Sequence, residues 1–336
     1  MQPSISVVIP TFNRARQLAR ALDGLGRQTV AAGTFDVIVV DDGSVDSTPD
    51  VLARPTNFPL IALRQPNRGP AAARNAGIAA ARGEIILFID DDVIPAANLI
   101  ELHLHAHAEL GSVVIGRMVP PAGRQPFWAE WEMRMLERQY AQMVAGIFEP
   151  TPRQFYTANA SVRRDDLERA GLFDAEYRRA EDVELAYRLE ELGLRFVFES
   201  GAQVLHDTPR TFAGWIMMAQ QYGYYDMLLS RQGGKRVIMD VLADEFVHRR
   251  RRGLRALARM TIGYPTRMAL VRAIAPFAMR AADALRLRPI ALAGCSALFN
   301  LLYWDSFCAE FGDRRAFWDT LSARSEALQP ACGALE

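Results

Sequence analysis

The sequence predicts an α/β protein built on a doubly wound, mostly parallel sheet, with a helical extension toward its C-terminal end. Three observations carry that prediction. Runs dominated by β-branched and other apolar residues recur at 5–9, 37–40, 60–63 and 85–89, and runs with little polar alternation mark strands buried on both faces. Between them lie stretches with apolar residues three and four apart, and strand–helix alternation is the pattern of a parallel sheet with crossover helices. From Trp215 onward the apolar spacing is helical throughout.

Each element follows in order. Ile5-Ser6-Val7-Val8-Ile9 is the first strand, and Pro10-Thr11-Phe12-Asn13 turns into a helix with Leu18, Leu22 and Leu25 on one face. The second strand, 37–40, ends at Asp41-Asp42-Gly43-Ser44. Thr48 reads as the N-cap of a helix with Pro49 at its first position. After a third strand at 60–63, Gly69-Pro70 opens an alanine-rich helix running to about Arg82, and Gly83 stops it. The fourth strand, 85–89, runs straight into Asp90-Asp91-Asp92. Beyond it, 113–115 reads as a strand and 120–152, with Trp128 and Trp131, as irregular or helical cover. A helix over 183–192 carries Val183, Ala186, Leu189 and Leu192 on one face, and 195–198 and 203–205 are short strands. Breaks in the helical region fall at Gly233-Gly234, Pro265, Pro276 and Pro289. The main domain is placed at 1–232, in halves 1–95 and 96–232, and the extension at 233–336.

Composition excludes several classes. Lys and Arg number 39 and Asp and Glu 39, so no basic excess points to nucleic acid. Cys295, Cys308 and Cys332 lack metal-ligand spacing, which fits a reducing compartment and argues against zinc. No leader peptide is expected, because the first strand starts within a few residues of Met1. No apolar run reaches the roughly 18 residues of a membrane span; the nearest approach, 289–304, is interrupted by Ser296 and Asn300.

The candidate chemistry sits at strand ends, where open α/β sheets bind ligands. Asp90-Asp91-Asp92 repel one another, so a compensating cation is expected, and a hard divalent ion takes oxygen ligands and bridges phosphates. A solvated acidic turn capping a helix that starts near Ile94-Pro95 accounts for the same residues structurally. Asp42 can accept hydrogen bonds from a base or ribose, or simply close an Asx turn with Gly43. The helix starting at Gly69-Pro70 presents small residues and an anion-favouring N-terminus, with Arg74 and Asn75 in its second turn. Glu181-Asp182 opens another helix, whose dipole favours ionised carboxylates. A base there needs burial or neighbouring carboxylates to raise its pKa. His206 follows a short strand and is either structural or a further metal ligand. His103, His105 and His107, at i,i+2 spacing and sharing no single face, receive no metal role.

Together these segments resemble glycosyltransferase family 2, which has the GT-A fold. The resemblance rests on Val7-Val8-Ile9-Pro10-Thr11-Phe12-Asn13-Arg14, Val39-Val40-Asp41-Asp42-Gly43-Ser44, Ala73-Arg74-Asn75-Ala76-Gly77 and the stretch from Gly83 to Asp92. It continues through Ala158-Asn159-Ala160-Ser161, Gly171-Leu172-Phe173-Asp174, Ala180-Glu181-Asp182-Val183-Glu184-Leu185 and His206, covering roughly 4–210. It implies an inverting, metal-dependent transferase that uses a UDP-, dTDP- or GDP-sugar, with Mn²⁺ or Mg²⁺. The halves 1–95 and 96–232 become nucleotide-sugar-binding and acceptor halves. By the same resemblance Asp42 contacts the base, Pro10 and Thr11 form the adjacent wall, and Arg74 lies near the nucleotide. Asp90 and Asp92 match the ends of the family's D-x-D motif, with Asp90 toward ribose or sugar, Asp91 counted with the donor-binding residues, and Asp92 on the metal. Asp182 is the catalytic base, Glu181 orients a hydroxyl, and His206 helps hold the metal or diphosphate.

Two other readings compete. A sugar nucleotidyltransferase would carry a glycine-rich basic loop after its first strand, where this chain has Pro10-Thr11-Phe12-Asn13. A non-catalytic nucleotide-sugar-binding scaffold would have lost acidic motifs that are present here. The implied acceptor is a glycan or lipid-linked sugar of the bacterial cell surface. Arg249 to Arg252, Arg255 and Arg259 accompany Leu254, Leu257 and Met260, a pattern of a basic amphipathic surface on an anionic membrane or of a cap with solvent-facing arginines. The expected location is the cytoplasm, peripherally at the inner face of the plasma membrane. Trp128 and Trp131 either shape the acceptor site or serve as core aromatics.

Overall fold

The computed structural model describes residues 2–31, 33–108, 111–206, 211–231 and 252–327. Strands β1 (Ile5–Thr11), β2 (Phe35–Asp41), β3 (Leu60–Arg64) and β4 (Ile85–Ile89) lie side by side in the order β3-β2-β1-β4, all parallel. Helices α1 (Ala15–Leu25), α2 (Thr48–Leu52) and α3 (Pro70–Ala80) are the crossovers. Alternate strand residues face opposite layers: Val7, Val37, Val39 and Leu87 meet Leu18, Leu22 and Leu25, while Val8, Ile38, Val40 and Phe88 share the far side with α3, α6 (Arg164–Arg169) and α7 (Glu181–Glu191). Burial on both faces is why these runs carry so few polar residues. The α3 helix lies so close to β1 that a Cβ on Gly77 would stand 2.4 Å from a Val8 methyl.

Past β4 the sheet becomes mixed. The order continues β7-β6-β8-β5, formed by β5 (Val93–Pro95), β6 (Ser112–Val119), β7 (Asn159–Arg163) and β8 (Arg195–His206). β7 runs antiparallel to β4 and β6, and β8 is parallel to β6 but antiparallel to β5. Three expectations change here. The two short strands at 195–198 and 203–205 are one strand, whose extra residues are absorbed by a register shift opposite Gly116 and Arg117. Ile94-Pro95 belongs to β5 rather than to a helix, and α4 (Leu99–Ala106) begins later, so the acidic triplet does not cap it. Ser47 rather than Thr48 stands at the N-cap position of α2, with no side-chain cap bond, and Asp46 accepts hydrogen bonds from the Thr48 N–H and hydroxyl at 3.0 and 2.6 Å.

The histidines of α4 also differ from expectation. His103 and His107, four residues apart, do share a buried face. Both bond the Ser161 hydroxyl, at 2.7 and 2.8 Å, and His103 also bonds Asn159 at 2.9 Å. Burial pushes their pKa values down to about 4 and about 3, so they are neutral packing groups.

The chain divides into two compact units, Met1–Arg124 with Met133–Pro209, and Gln125–Glu132 with Arg210–Glu336. The expected boundary at 232 therefore moves to about 209, because α8 (Phe212–Arg231) belongs with the helical unit and packs on α11 (Arg288–Phe311). The other helices described there are α9 (Arg252–Thr261), α10 (Pro265–Ala284) and α12 (Arg314–Ala327). The opening of α5 (Phe127–Val144) counts with this unit. Its Trp131 packs edge-on to Trp215 and donates to the Ser296 hydroxyl at 2.7 Å, and Trp128 packs on Phe212, so both tryptophans, half-buried, take part in the packing of this unit. Pro276 lies inside α10, and Pro289 sits in the first turn of α11. Gly233-Gly234 and Arg249 to Arg251 fall outside the described residues.

Candidate active site

Parallel pairing brings the carboxyl ends of β1, β2 and β4 to one edge of the sheet, so three sequence motifs converge. After β2, Asp41 accepts the Ser44 N–H at 2.7 Å and pairs with Arg64 at 3.3 Å, closing the turn. Asp42 faces the other way. Its carboxylate accepts the Gln65 amide at 2.7 Å and the backbone N–H groups of Arg68 and Gly69 at 2.9 and 2.8 Å. Asp42 thus anchors the loop entering α3, where Gly69 takes φ +91°, a conformation open to glycine. Asn13, at φ 54°, ties the loop after β2 to the end of β1: its N–H donates to Ser44 and its side chain accepts from Val45, both at 2.8 Å. Pro10 lies beyond Val8, the last β1 residue paired with β4.

After β4 the three aspartates part company. Asp91, only 5% exposed, accepts the Thr11 hydroxyl at 2.7 Å and an Arg14 N–H at 3.0 Å. Arg14 also reaches Asp92 at 2.5 Å, and His206 Nε2 stands 3.8 Å from the other Asp92 oxygen. Asp90 points toward α3 and pairs with Arg74 at 2.9 Å. Burial pushes the Asp91 carboxyl up to about 6, against the pull of Arg14 and Thr11. Burial and the neighbouring Asp92 charge also raise Asp90, with Arg74 opposing.

Arg74 connects this edge to a distant segment. It is 4% exposed, and its second nitrogen holds Glu181 at 2.7 Å. Glu181 begins α7 (Glu181–Glu191). Asn75, beside Arg74, exchanges two hydrogen bonds with the Phe173 backbone, at 2.8 and 3.0 Å, and so fixes the loop leading into that helix. The residue before α7 is Ala180, held at φ 57°, a left-handed conformation that costs an alanine about 1–2 kcal/mol. Backbone strain of this kind is tolerated where the surroundings over-determine it. Asp182 follows, with one oxygen accepting the Val183 N–H at 2.8 Å. Burial first, and the adjacent Glu181 charge second, push its carboxyl up to about 7, with Arg74 pulling the other way. These are the conditions a base at a helix N-terminus requires: the dipole alone would hold the pKa low.

The structure therefore gathers Thr11, Asp90, Asp91, Asp92, Arg74, Glu181, Asp182 and His206 around one sheet edge, with Asp42 on the neighbouring loop. The sequence reading missed Arg14, which lay inside a recognised segment but had no assigned role; its place just beyond the end of β1, alongside the acidic strand end, was the available signal. Among the described residues, five carboxyl groups meet two guanidiniums here. That negative excess suits a divalent cation, and Arg14 already places positive charge against Asp92. No three His, Cys, Asp or Glu side chains among the described residues form a cage. An ion held by Asp92 and His206 would draw its remaining ligands from phosphate or water, as Mg²⁺ commonly does.

Comparison with known proteins places this site in context. The profile described as Glycosyl transferase family 2 matches residues 6–171. The succinoglycan biosynthesis protein ExoO of Rhizobium meliloti (strain 1021) is 30% identical over 265 residues, which cover 75% of this chain and 74% of that protein. Validoxylamine A glucosyltransferase of Streptomyces hygroscopicus subsp. jinggangensis is 33% identical over 221 residues, 57% of this chain and 52% of the relative. The chain thus spans about half the length of that relative. Among solved structures, mannosyltransferase PcManGT from Pyrobaculum calidifontis, in complex with GDP-Man and Mn²⁺, superposes with a TM-score of 0.58 at 21% identity, covering 91% of this chain and 88% of the other. S. aureus TarS 1-349 in complex with UDP gives 0.51 at 19% identity, with 92% of each chain covered. These structural likenesses concern the fold, which is α/β of GT-A type. With the profile lying over the strands that carry the acidic motifs, and ExoO aligned along three quarters of the chain, this protein belongs to glycosyl transferase family 2.

Proposed function

We propose that this chain is an inverting glycosyltransferase, moving a sugar from a nucleoside-diphosphate donor to a hydroxyl acceptor in the assembly of a cell-surface glycan or glycolipid, with Mn²⁺ or Mg²⁺ as cofactor. The observation that carries this reading is the bridge made by Arg74. One buried guanidinium holds Asp90, at the end of β4, and Glu181, at the start of α7, at 2.9 and 2.7 Å. It thereby sets a carboxyl of raised pKa, Asp182, beside a strand-end acidic cluster suited to a cation and a diphosphate.

Asp182 removes the proton from the acceptor hydroxyl, which attacks the anomeric carbon on the face opposite the diphosphate. A single displacement inverts that carbon and needs no protein nucleophile. A base poised near neutrality is ionised often enough to act and basic enough to be useful. Glu181, tied to Arg74, orients the hydroxyl or the donor sugar. Asp92 and His206 would hold the cation, which when bound supplies positive charge against the departing diphosphate. Arg14 and Thr11 keep Asp91 in place, and Arg74 neutralises Asp90 facing ribose or sugar. Asp42 and the backbone around Pro10 and Thr11 border the base. The three hydrogen bonds that Asp42 already accepts from the loop entering α3 fix the carboxylate in a single orientation.

The reading is tested by melting the full chain with UDP, dTDP and GDP, each with and without Mn²⁺. A ligand present at 100 times its Kd stabilises by about 2.7 kcal/mol when it binds only the folded state. A metal-dependent rise with one nucleotide is expected and identifies the base. No rise with any of them would overturn the donor site.

A further inference from the structure

We infer that the outer face of the α10–α11 pair docks on an anionic phospholipid bilayer. Helix α10 packs inward through Met268, Met279 and Ala282. On its other side Leu270, Ile274 and Phe277, at i, i+4 and i+7, form a stripe that is 60%, 56% and 75% exposed. Leu285 and Leu287 continue it past the helix end, and Ile290 of α11 stands beside it, 59% exposed. A groove of about 380 Å³ runs along this face, lined by side chains that include Leu270, Ile274, Ala278, Ile290, Ala297 and Leu301. Scattered apolar residues on a surface need no explanation, but a contiguous stripe and groove of this kind mark a binding face.

Charge identifies the occupant. Between residues 252 and 287 the chain carries seven arginines and one acidic residue, Asp283. Two of these arginines are held in place by aromatic rings: Arg267 lies over Tyr264 at 4.4 Å, and Arg280 over Phe212 at 5.0 Å. An apolar stripe on a helix pair rich in arginine matches the acyl and headgroup layers of a negatively charged membrane surface. A second copy of the chain would set the same basic surfaces against each other, which opposes pairing. The face lies on the membrane rather than spanning it. By length and hydropathy α11 could cross a bilayer, yet 44% of its most apolar window is buried, and Leu298, Leu302, Trp304 and Phe307 are core residues of the helical unit.

The test is flotation of the full chain with vesicles of phosphatidylcholine alone and of phosphatidylcholine mixed with phosphatidylglycerol. Binding to the mixed vesicles at low salt, weakening as salt rises, is expected. A double variant, Ile274→Glu with Phe277→Glu, should lower vesicle affinity about tenfold or more, since each buried methylene contributes about 0.8 kcal/mol. Both side chains are mostly exposed, so the melting temperature should not change. Arg267→Ser with Arg280→Ser should flatten the salt dependence and serves as a second probe should the first variant melt early. A chain that stays in the soluble fraction with anionic vesicles at low salt overturns the inference. So does binding that neither pair of substitutions alters, or a dimer in solution that the glutamates dissociate while no vesicle binding is seen.

Discussion

Replacing Asp182 by asparagine should make this protein both slower and more stable. The carboxyl is pushed from its ordinary 3.8 to about 7 by burial and by Glu181, so the folded state resists its ionisation. The sign follows from linkage: an acid with a raised folded pKa adds stability below about pH 4, and that stability drains away as pH rises toward 7. Holding the carboxyl at about 7 instead of 3.8 sets a ceiling of about 4 kcal/mol. Asp182 is partly open to water and shares its charge with Glu181, so about 1–2 kcal/mol is the working figure. Asparagine is isosteric, carries no charge, and can still accept the Val183 N–H. For a unit of this size 1 kcal/mol moves Tm by roughly 2–4 °C, so the variant should melt about 2–8 °C higher at pH 8 and gain roughly half as much free energy at pH 5.5. Turnover should fall by about 10²–10⁴, the span for loss of a general base. Thermal unfolding at both pH values checks the first claim, and release of nucleoside diphosphate checks the second. A variant that melts lower than the parent at pH 8 would refute the raised pKa and remove Asp182 from the role of base.

Other outcomes follow from the same geometry. The parent's kcat/KM should fall about tenfold per pH unit below about 7 and level off above it, as a single ionisation requires; a flat profile from pH 5 to 8 excludes Asp182 as base. Arg74→Met leaves Glu181 and Asp90 without their shared countercharge, an effect of about 3–5 kcal/mol for buried pairs, measurable by urea unfolding; a loss under 1 kcal/mol would show the carboxylates to be solvated. If that variant folds, the acid limb of its pH profile should move upward, because Arg74 is what holds Asp182 down. Gly77→Ala should cost about 1–3 kcal/mol by overpacking against Val8, 2.4 Å from the new methyl; an unchanged melting curve would show that α3 can shift. Chelation should abolish transfer, and Asp92→Ala should remove the Mn²⁺-dependent part of any nucleotide-induced rise in Tm while leaving the metal-free baseline in place.

The legible part of the fold was the part whose physics is local. Strands β1, β2 and β4 are buried on both faces, so their sequences are nearly continuous apolar runs, and the acidic residues stand out because they interrupt those runs at the carboxyl ends. The mixed half was obscure for equally physical reasons. β5 is three residues long. β8 includes Arg195, Glu199, Ser200 and Gln203 and reads as two pieces until the register shift opposite β6 is seen. Nothing in a single sequence pairs Arg74 with Glu181, which lie 107 residues apart, and nothing shows that His103 and His107 turn the same face toward Ser161. The C-terminal helices were legible as helices, whereas which apolar positions stay exposed depends on the packing of α10 against α11.

The two arginines of the site show why burial decides function as much as charge does. Arg74 is enclosed, and its partners Glu181 and Asp90 are fixed by backbone at the start of α7 and the end of β4. Desolvation makes its ion pairs expensive to break, so it works as a permanent strut and a constant field on Asp182. Arg14 reaches the acidic triplet from the open side, its side chain 42% exposed. Its partners Asp91 and Asp92 are enclosed, so only the arginine side of these pairs meets water. In the proposed transferase, Arg14 would hold Asp91 and Asp92 in place and, being open to water on one side, would be the group able to give up Asp92 to a divalent cation. One enclosed and one half-exposed arginine thus flank the acidic residues after β4, and the strand order brings both to the same edge.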